Sequence, residues 1–218
     1  MPEYYPAFID VGGRECVVIG GGQFGEENVH KFLRCNANVV VVSAFITDGV
    51  RNLVDAGKVT WIQRDYEPGD LAEAFITVAA TGDNSMSMEI AREAEERNVL
   101  LNVVDVTHLC TFIAPSVARR GEVTVATSTG GASPALARKF REELAHSRIL
   151  EYADLAPLLS DARTNLKRDS ITVDPDHWQN CLTEELLDAV QAGRVEEARQ
   201  TLMTNLLSEP RSSRAPEN

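Results

Sequence analysis

A glycine-rich turn between a strand-like and a helix-like segment constrains the fold of this chain most strongly. The stretch CVVIGGGQFGEENVHKFL, residues 16–33, carries β-branched residues, then Gly20, Gly22 and Gly25 in the pattern G-x-G-x-x-G, then apolar residues at helical spacing. The first glycine permits a tight turn, the second lets a pyrophosphate approach the backbone, and the third lets the helix pack closely. The helix N-terminus adds free N–H groups for phosphates. This context favours a dinucleotide site over a purely structural glycine turn.

Strand and helix patterns alternate over about the first 112 residues. The stretch NVVVVSAFI is apolar on both faces, which is typical of a buried parallel strand. The stretches KVTWIQRDY, AFITVAAT and VLLNVVD predict further strands, and SMEIAREAEERN predicts a helix. We therefore predict an α/β fold whose N-terminal domain, residues 1–112, is a Rossmann-type doubly wound parallel sheet with helices on both faces.

The pattern changes after residue 112. Residues 113–148 hold two short apolar segments around Arg120 and Gly121, followed by a helix. Ser133 is a plausible N-cap of that helix, and Pro134 is a favourable first helical residue. We predict a small α+β segment here.

The C-terminal part of the chain is polar and helical in pattern. We predict a helical domain over residues 149–209, interrupted near Asp174-Pro175. Residues 210–218 are polar and rich in proline, so we expect them to form a flexible tail.

The end of the second predicted strand lacks the acid that commonly binds the ribose of NAD. Ser43, Ala44 and Phe45 stand there instead. No arginine stands there for the 2′-phosphate of NADP either, because the next one is Arg51. The residues themselves leave the choice between NAD and NADP open.

Asp105 follows the fifth predicted strand. Ligands of open α/β sheets bind outside the carboxyl ends of the strands, so Asp105 is expected beside the nicotinamide. A carboxylate there can act as a general base, although an aspartate that only shapes a turn is an equal alternative. His108 and Cys110 lie close in sequence, but one histidine and one cysteine without a fourth ligand rarely bind a metal, and we predict none.

A second anion-binding loop is predicted at Ser128, Thr129, Gly130 and Gly131, just before the capped helix. Residues 113–148 carry six basic and three acidic side chains, a local excess that favours a polyanionic substrate. A solvated helix face is the alternative for the helical charges. The basic residues are Arg119, Arg120, Arg138, Lys139, Arg141 and Arg148, and we predict that Arg119 and Arg120 bind the substrate.

The charge, the apolar runs and the cysteine spacing together argue against several classes of protein. A net charge of -12 argues against general binding to nucleic acid or to anionic membranes. No apolar stretch approaches the roughly 18 residues of a membrane helix. The four cysteines show no metal-finger spacing and are typical of reduced thiols. We expect a cytoplasmic protein.

The combination of these motifs resembles one family: precorrin-2 dehydrogenase, the N-terminal module of siroheme synthase, which in many members is also a sirohydrochlorin ferrochelatase. The resemblance covers nearly the whole chain. It rests on the stretches YYPAFIDVGGRECVVIGGGQFG, VTWIQRDYEPGDLAEAFITVAAT and NVVDVTHLCTFIAPSVARRGEVTVATSTGGASPALARKFREEL.

The resemblance implies an activity and a set of site residues. Family members oxidise precorrin-2, a polycarboxylate tetrapyrrole, to sirohydrochlorin, and NAD accepts the hydride. The family's acid/base aspartate falls on Asp105, and its substrate-side hydroxyl falls on Ser128 or Thr129. The cofactor-binding positions implied are Gly20, Gly22, Gln23, Phe24, Gly25, Ser43, Ala44, Phe45, Thr81 and Gly82.

The resemblance also implies a homodimer in which the segment after the Rossmann domain is exchanged between subunits. It leaves open whether Fe²⁺ or Co²⁺ is inserted as a substrate, with Asp105 or His108 removing the pyrrole protons. Two other hypotheses remain at this stage: a dinucleotide sensor without catalysis, and a chelatase that keeps the Rossmann fold only as a scaffold.

Overall fold

The computed structural model describes residues 3–208, which form two compact units. The first comprises residues 3–114 with 130–132, and the second comprises residues 115–129 with 133–208. The predicted tail, residues 210–218, lies outside the described residues.

The first unit alternates strands and helices. Its elements are β1 (Glu15–Gly21), α1 (Gln23–Arg34), β2 (Asn38–Ile46), α2 (Asp48–Asp55), β3 (Val59–Ile62), β4 (Ile76–Ala79), α3 (Asn84–Arg97) and β5 (Leu100–Val103). All strand pairs are parallel, and the strand order is β3-β2-β1-β4-β5. This arrangement confirms the predicted α/β fold with its doubly wound parallel sheet.

Strand β1 supplies side chains to an apolar layer on each face of the sheet. Cys16 and Val18 pack in one cluster with Val29 of α1, whereas Val17 and Ile19 pack in the other with Ile90 of α3 and its neighbours. All four strand residues are at most 1 % exposed. Burial on both faces explains why this strand is an unbroken apolar run rather than an alternating one.

Two helices of the first unit differ from the sequence pattern. Helix α1 begins at Gln23, earlier than its apolar periodicity indicates, because its first turn is polar apart from Phe24 and follows the glycine turn directly. The pattern did not predict α2 at all. That helix is short, and only Val50 is buried. It is nevertheless capped by the Thr47 hydroxyl, which accepts a hydrogen bond from the backbone N–H of Val50.

The long loop after β3 is anchored on α3 by one buried acid. Glu93 accepts hydrogen bonds from the Tyr66 hydroxyl, from the backbone N–H groups of Gly69 and Leu71, and from Arg97 Nε. Burial alone would raise the pKa of Glu93, but these hydrogen bonds outweigh it and hold the pKa below its ordinary value. The loop is therefore fixed by an ionised carboxylate.

The second unit combines a β-hairpin with helices. Its elements are β6 (Ser116–Arg120), β7 (Val123–Thr127), α4 (Pro134–Ala145), α5 (Arg148–Glu151), α6 (Ala156–Arg168), α7 (Pro175–Asn180), α8 (Glu184–Gln191) and α9 (Val195–Leu207). Strands β6 and β7 are antiparallel and reverse at Gly121, which has φ +55°.

The core of the second unit lies among its C-terminal helices. Leu155, Leu187 and Leu202 are fully buried there. The predicted start of α4 is confirmed, because Ser133 accepts a hydrogen bond from the N–H of Leu136 and Pro134 is the first helical residue. Among residues 3–208, no helix is both long and apolar enough to cross a membrane.

Candidate active site

The candidate site lies where the carboxyl ends of β1 and β4 meet. These adjacent strands lead to helices on opposite sides of the sheet, since β2 lies beyond β1 and β5 lies beyond β4. In an open α/β sheet this point of reversal is where a crevice forms and where ligands bind. Of the residues predicted from the sequence, the glycines of the turn follow β1, Thr81 and Gly82 follow β4, and Asp105 follows the neighbouring strand β5.

Two glycines of the turn are required by close backbone contacts. Gly20 has φ +105°, and a Cβ there would collide with the carbonyl oxygen of Ala80 after β4. A Cβ on Gly25 would collide with the carbonyl oxygen of Gly20. The glycine turn, the first turn of α1 and the backbone after β4 are thus packed so closely that neither Gly20 nor Gly25 could carry a side chain.

Gly22 is different, because a Cβ there would meet nothing within 4 Å. Gly22 is the N-cap of α1, and no side chain caps the first backbone N–H groups of that helix. The structure therefore leaves open space in front of a helix N-terminus, where the dipole and the N–H groups favour an anion. This opening fits the pyrophosphate of a dinucleotide, with Gln23 and Phe24 exposed in the first turn.

The end of β2 bulges beside the glycine turn. Ile19 pairs with Val42 and Gly21 pairs with Ile46, so three residues, 43–45, lie opposite Gly20 alone. Ser43 is buried, whereas Ala44 and Phe45 are exposed. The three residues predicted to approach the adenosine thus lie directly beside the glycine turn.

Gly21 is a further glycine of the turn that the structure requires and that the sequence motif does not reveal. A Cβ on Gly21 would collide with the carbonyl oxygen of Phe45 in the bulge. The middle glycine of GGG therefore brings the end of β2 close to the turn. The G-x-G-x-x-G pattern leaves that position unspecified, so only the pairing of the two strands reveals its role.

Thr81 and Gly82 follow β4, on the side predicted for the nicotinamide. The Thr81 hydroxyl accepts a hydrogen bond from the N–H of Asp83 and lies 3.2 Å from the Ser87 hydroxyl. Asp83 in turn caps α3 by accepting from the N–H groups of Ser85 and Met86. Gly82 has φ +68° and open space around it. The threonine is thus held by the helix cap, and the glycine leaves room for a ligand.

Asp105 is exposed, in a turn directly after β5. The turn is closed by a hydrogen bond from the N–H of Val106 to the carbonyl of Val103. Asp105 has φ +63°, a conformation that costs most side chains free energy and that aspartate and asparagine tolerate best. Residues held in such conformations cluster at functional sites. The structure therefore presents a carboxylate to solvent at the carboxyl edge of the sheet.

His108 and Cys110 do not form a metal site with Asp105. The Cys110 thiol lies 3.2 Å from the N–H of Val103 and 3.4 Å from its carbonyl oxygen, and burial raises the pKa of this thiol. His108 and Cys110 instead line a cleft of about 480 Å³ beside α3, whose lining does not include Asp105. Within residues 3–208, no group of three or more His, Cys, Asp or Glu side chains is placed to hold a metal ion.

The predicted substrate loop is shaped by its own hydrogen bonds. The Thr129 hydroxyl accepts from the N–H of Ser133 and lies 3.1 Å from the Ser133 carbonyl oxygen. Gly130 and Gly131 have φ +64° and +88°, so both positions favour glycine. Ser128 also has an interaction partner in the structure. The loop thus reaches the N-terminus of α4 in a defined conformation.

The two predicted substrate-binding arginines have different surroundings. Arg120 donates two hydrogen bonds to the Asp154 carboxylate, at 2.7 Å and 2.6 Å, and holds the pKa of Asp154 below its usual range. It can bind a substrate carboxylate only by leaving that pair. Arg119 donates to the Thr124 hydroxyl at 3.3 Å and has no acidic partner among residues 3–208. Arg119 is therefore the freer of the two.

Comparison with known proteins gives two family matches. Residues 7–116 match the family described as putative NAD(P)-binding, and residues 120–147 match the family described as sirohaem biosynthesis protein central. The siroheme synthase of Pseudoalteromonas atlantica is 33% identical over 94% of this chain, and that of Sodalis glossinidius is 30% identical over 95%. The chain spans 45% of the length of each of these curated relatives.

A solved structure has the same fold. The structure titled SirC, precorrin-2 dehydrogenase, aligns with a TM-score of 0.72 over 92% of this chain and 100% of its own. Its sequence identity is 23%. The likeness confirms the α/β fold over the aligned part of the chain, and the predicted helical C-terminal region is present.

Proposed function

The chain belongs to the putative NAD(P)-binding family, as the siroheme-synthase N-terminal module, and on that premise we propose that it oxidises precorrin-2 to sirohydrochlorin with NAD. The observation that carries the proposal is the pairing of an open helix N-terminus at Gly22 with an exposed carboxylate at Asp105, both at the carboxyl edge of one sheet. A dinucleotide sensor needs only the first of these.

In the proposed reaction, Asp105 removes a proton from the tetrapyrrole. When bound, NAD supplies the hydride acceptor, so that precorrin-2 loses a hydride and a proton in total. Asp105 has no hydrogen-bonding partner among residues 3–208, which leaves both carboxylate oxygens available for the substrate. Such a positioned base typically contributes about 10²–10⁴-fold to the rate.

We propose that the substrate's carboxylates are bound by the loop at Ser128–Gly131 and by Arg119. The loop precedes the N-terminus of the twelve-residue helix α4, and Arg119 is a cation without an acidic partner in the described part of the chain. Arg120 can also bind a substrate carboxylate only if its ion pair with Asp154 breaks. Binding of a polyanion by a protein of net charge -12 requires such a local site.

We propose a homodimer formed through the surface of α4. None of the twelve residues of α4 is buried, although the helix carries Leu136 and Phe140 one turn apart, each 46% exposed. Ile149, shortly after α4, is 75% exposed. Because none of its residues is buried, α4 gains little stability from packing within its own chain. A second copy of the chain would cover its apolar side chains.

Insertion of Fe²⁺ or Co²⁺ into sirohydrochlorin is a second candidate activity. It is favoured by the same exposed carboxylate, because metal insertion requires a base for the pyrrole protons. The metal ion is a substrate in this case. We further propose a cytoplasmic location, which is supported by four free cysteines: Cys16, Cys35, Cys110 and Cys181.

Anaerobic incubation of the purified protein with precorrin-2, with and without NAD, tests the proposal. We expect the sirohydrochlorin absorbance to appear only with NAD. Subsequent addition of Fe²⁺ or Co²⁺ tests the chelatase, which requires a further spectral change above the protein-free rate. NAD binding without any product would contradict the dehydrogenase and support a sensor.

A further inference from the structure

A tryptophan of β3 is bonded to the bulge at the end of β2. Trp61 lies opposite Val41 in the sheet register, and its indole Nε1–H donates to the carbonyl oxygen of Ser43 at 2.9 Å. Ser43 begins the three-residue bulge beside the glycine turn. The Trp61 ring therefore lies next to the place where the adenine ribose of a dinucleotide is expected.

An arginine lies on this tryptophan. The guanidinium carbon of Arg51 is 5.1 Å from the centre of the Trp61 ring, a cation–π distance. Arg51 is exposed and belongs to α2, where its N–H donates to the carbonyl of Thr47. Among residues 3–208, no carboxylate lies within ion-pair distance of it. The guanidinium is thus seated on a rigid ring with its N–H groups free for a ligand.

The end of β2 also lacks the feature that excludes NADP. In NAD-specific sites an acid at this position binds the ribose 2′-hydroxyl, and its charge repels a 2′-phosphate. Ser43, Ala44 and Phe45 carry no charge. The nearby acid Glu26, in α1, lies against Gly49 and pairs with His30 at 3.7 Å. Asp48 is an exposed carboxylate in the first turn of α2.

We propose that Arg51, seated on Trp61, binds the 2′-phosphate of NADP, so that this site accepts NADP as well as NAD. The inference rests on the proposed dinucleotide site and adds the residue that decides its specificity. A guanidinium binds a phosphate through two parallel hydrogen bonds, and stacking on an aromatic ring orients it for this purpose. NAD carries no phosphate at that position, so its affinity is expected not to depend on Arg51.

Calorimetric titration of NAD and NADP into the full chain tests the inference. Arg51→Gln is expected to weaken NADP binding by about tenfold, the loss of a charge-assisted contact, while the dissociation constant of NAD changes by less than about twofold. Arg51→Lys, which keeps the charge but loses the planar fork, is expected to fall between the two.

Arg14→Gln is the matched control. Arg14 also stacks on an aromatic ring, with its guanidinium carbon 4.1 Å from the centre of the Phe75 ring. Arg14 and Phe75, however, lie just before β1 and β4, at the amino ends of the strands. This variant is expected to leave the binding of both dinucleotides unchanged.

Three outcomes would overturn the inference. The first is NADP failing to bind the wild-type chain at concentrations where NAD saturates it. The second is an unchanged NADP affinity in Arg51→Gln. The third is an equal loss of NAD and NADP affinity, which would assign Arg51 a purely structural role. If neither dinucleotide binds the wild-type chain, the proposed cofactor site itself is wrong, so the two failures are distinguishable.

Discussion

The glycine turn of the first unit and helix α4 of the second differ in how much of their packing their own chain supplies. In the turn, Gly20, Gly21 and Gly25 each face a backbone carbonyl that leaves no room for a Cβ. In α4 no residue is buried, and Leu136 and Phe140 are exposed. The first region is complete within one chain, whereas the second has apolar surface without a partner. A ligand is expected at the first and a second copy at the second.

The largest expected effect comes from comparing two glycines of the turn. Gly25→Ala forces a Cβ against the Gly20 carbonyl and is expected to destabilise the fold by on the order of 3 kcal/mol. Gly22→Ala places its Cβ in open space, so we expect a change below about 1 kcal/mol in stability. The same methyl group lies where the pyrophosphate is expected, and it should weaken NAD binding at least about tenfold.

Thermal unfolding and NAD titration of both variants make this comparison. A Gly22→Ala protein that binds NAD normally would show that the open space is not the phosphate site. A stable Gly25→Ala protein would show that the turn is less tightly packed than described.

Glu93 tests how completely the first unit satisfies its own polar groups. Glu93→Gln is expected to lower the free energy of unfolding by about 2 kcal/mol near neutral pH, because a charged acceptor of several hydrogen bonds is lost. Since folding lowers the pKa of Glu93, its contribution is present above its ordinary pKa and is lost as the pH falls through the folded value.

Denaturant unfolding of both proteins from pH 7 downward measures this difference. We expect the gap between wild type and Glu93→Gln to narrow in acid. Glu89→Gln, an exposed position on the same helix, is the control and should be neutral. A gap that stays constant with pH would contradict the ionised state of Glu93.

Phe140 tests whether a second copy of the chain covers the exposed apolar side chains of α4. Phe140→Ser removes an exposed apolar side chain from α4 and is expected to raise the dimer dissociation constant at least about tenfold, with little loss of monomer stability. Lys139→Ser, at the adjacent exposed position, should leave the dimer intact. Sedimentation equilibrium of the two variants decides the point, and equal dimerisation in both would place the interface elsewhere.

The smallest expected effect on stability concerns one buried polar group of the first unit. The Thr77 hydroxyl of β4 is fully buried and has no hydrogen-bonding partner among the described residues. Thr77→Val keeps the shape and removes the unsatisfied group, so we expect stabilisation by about 1 kcal/mol. An increase in the thermal midpoint checks this prediction, and a decrease would mean that the hydroxyl has a partner.

The sequence predicted the features that depend on neighbouring residues. The strand-turn-helix unit at Gly20–Gly25 and the Ser133-Pro134 start of α4 are set by local geometry, and both were predicted. Helix α2 was missed although Val50, Leu53 and Val54 have helical spacing, because the helix is only eight residues long and offers too short a window for its periodicity to stand out. All four positive-φ residues other than glycine among residues 3–208 lie shortly after a helix or a strand, and the left-handed conformation of Asp105 was not predicted from its sequence context.

The contacts that shape the site depend on residues distant in sequence and could not be predicted. The Trp61 indole meets Ser43 because β2 and β3 pair in one particular register. Gly21 faces Phe45 because β2 bulges. Arg120 was predicted to bind substrate, and its local sequence gives no sign that Asp154 would occupy it. The roles predicted for Asp105, Ser128 and Thr129 remain predictions.

Asp105→Asn tests the central claim most directly. Asparagine tolerates the same positive φ and has nearly the same shape, so the fold should be unaffected. We predict that the rate of NAD-dependent sirohydrochlorin formation falls at least about 100-fold, while the dissociation constant of NAD stays within about twofold of the wild-type value. A near-normal rate in Asp105→Asn would contradict the assignment of Asp105 as the base.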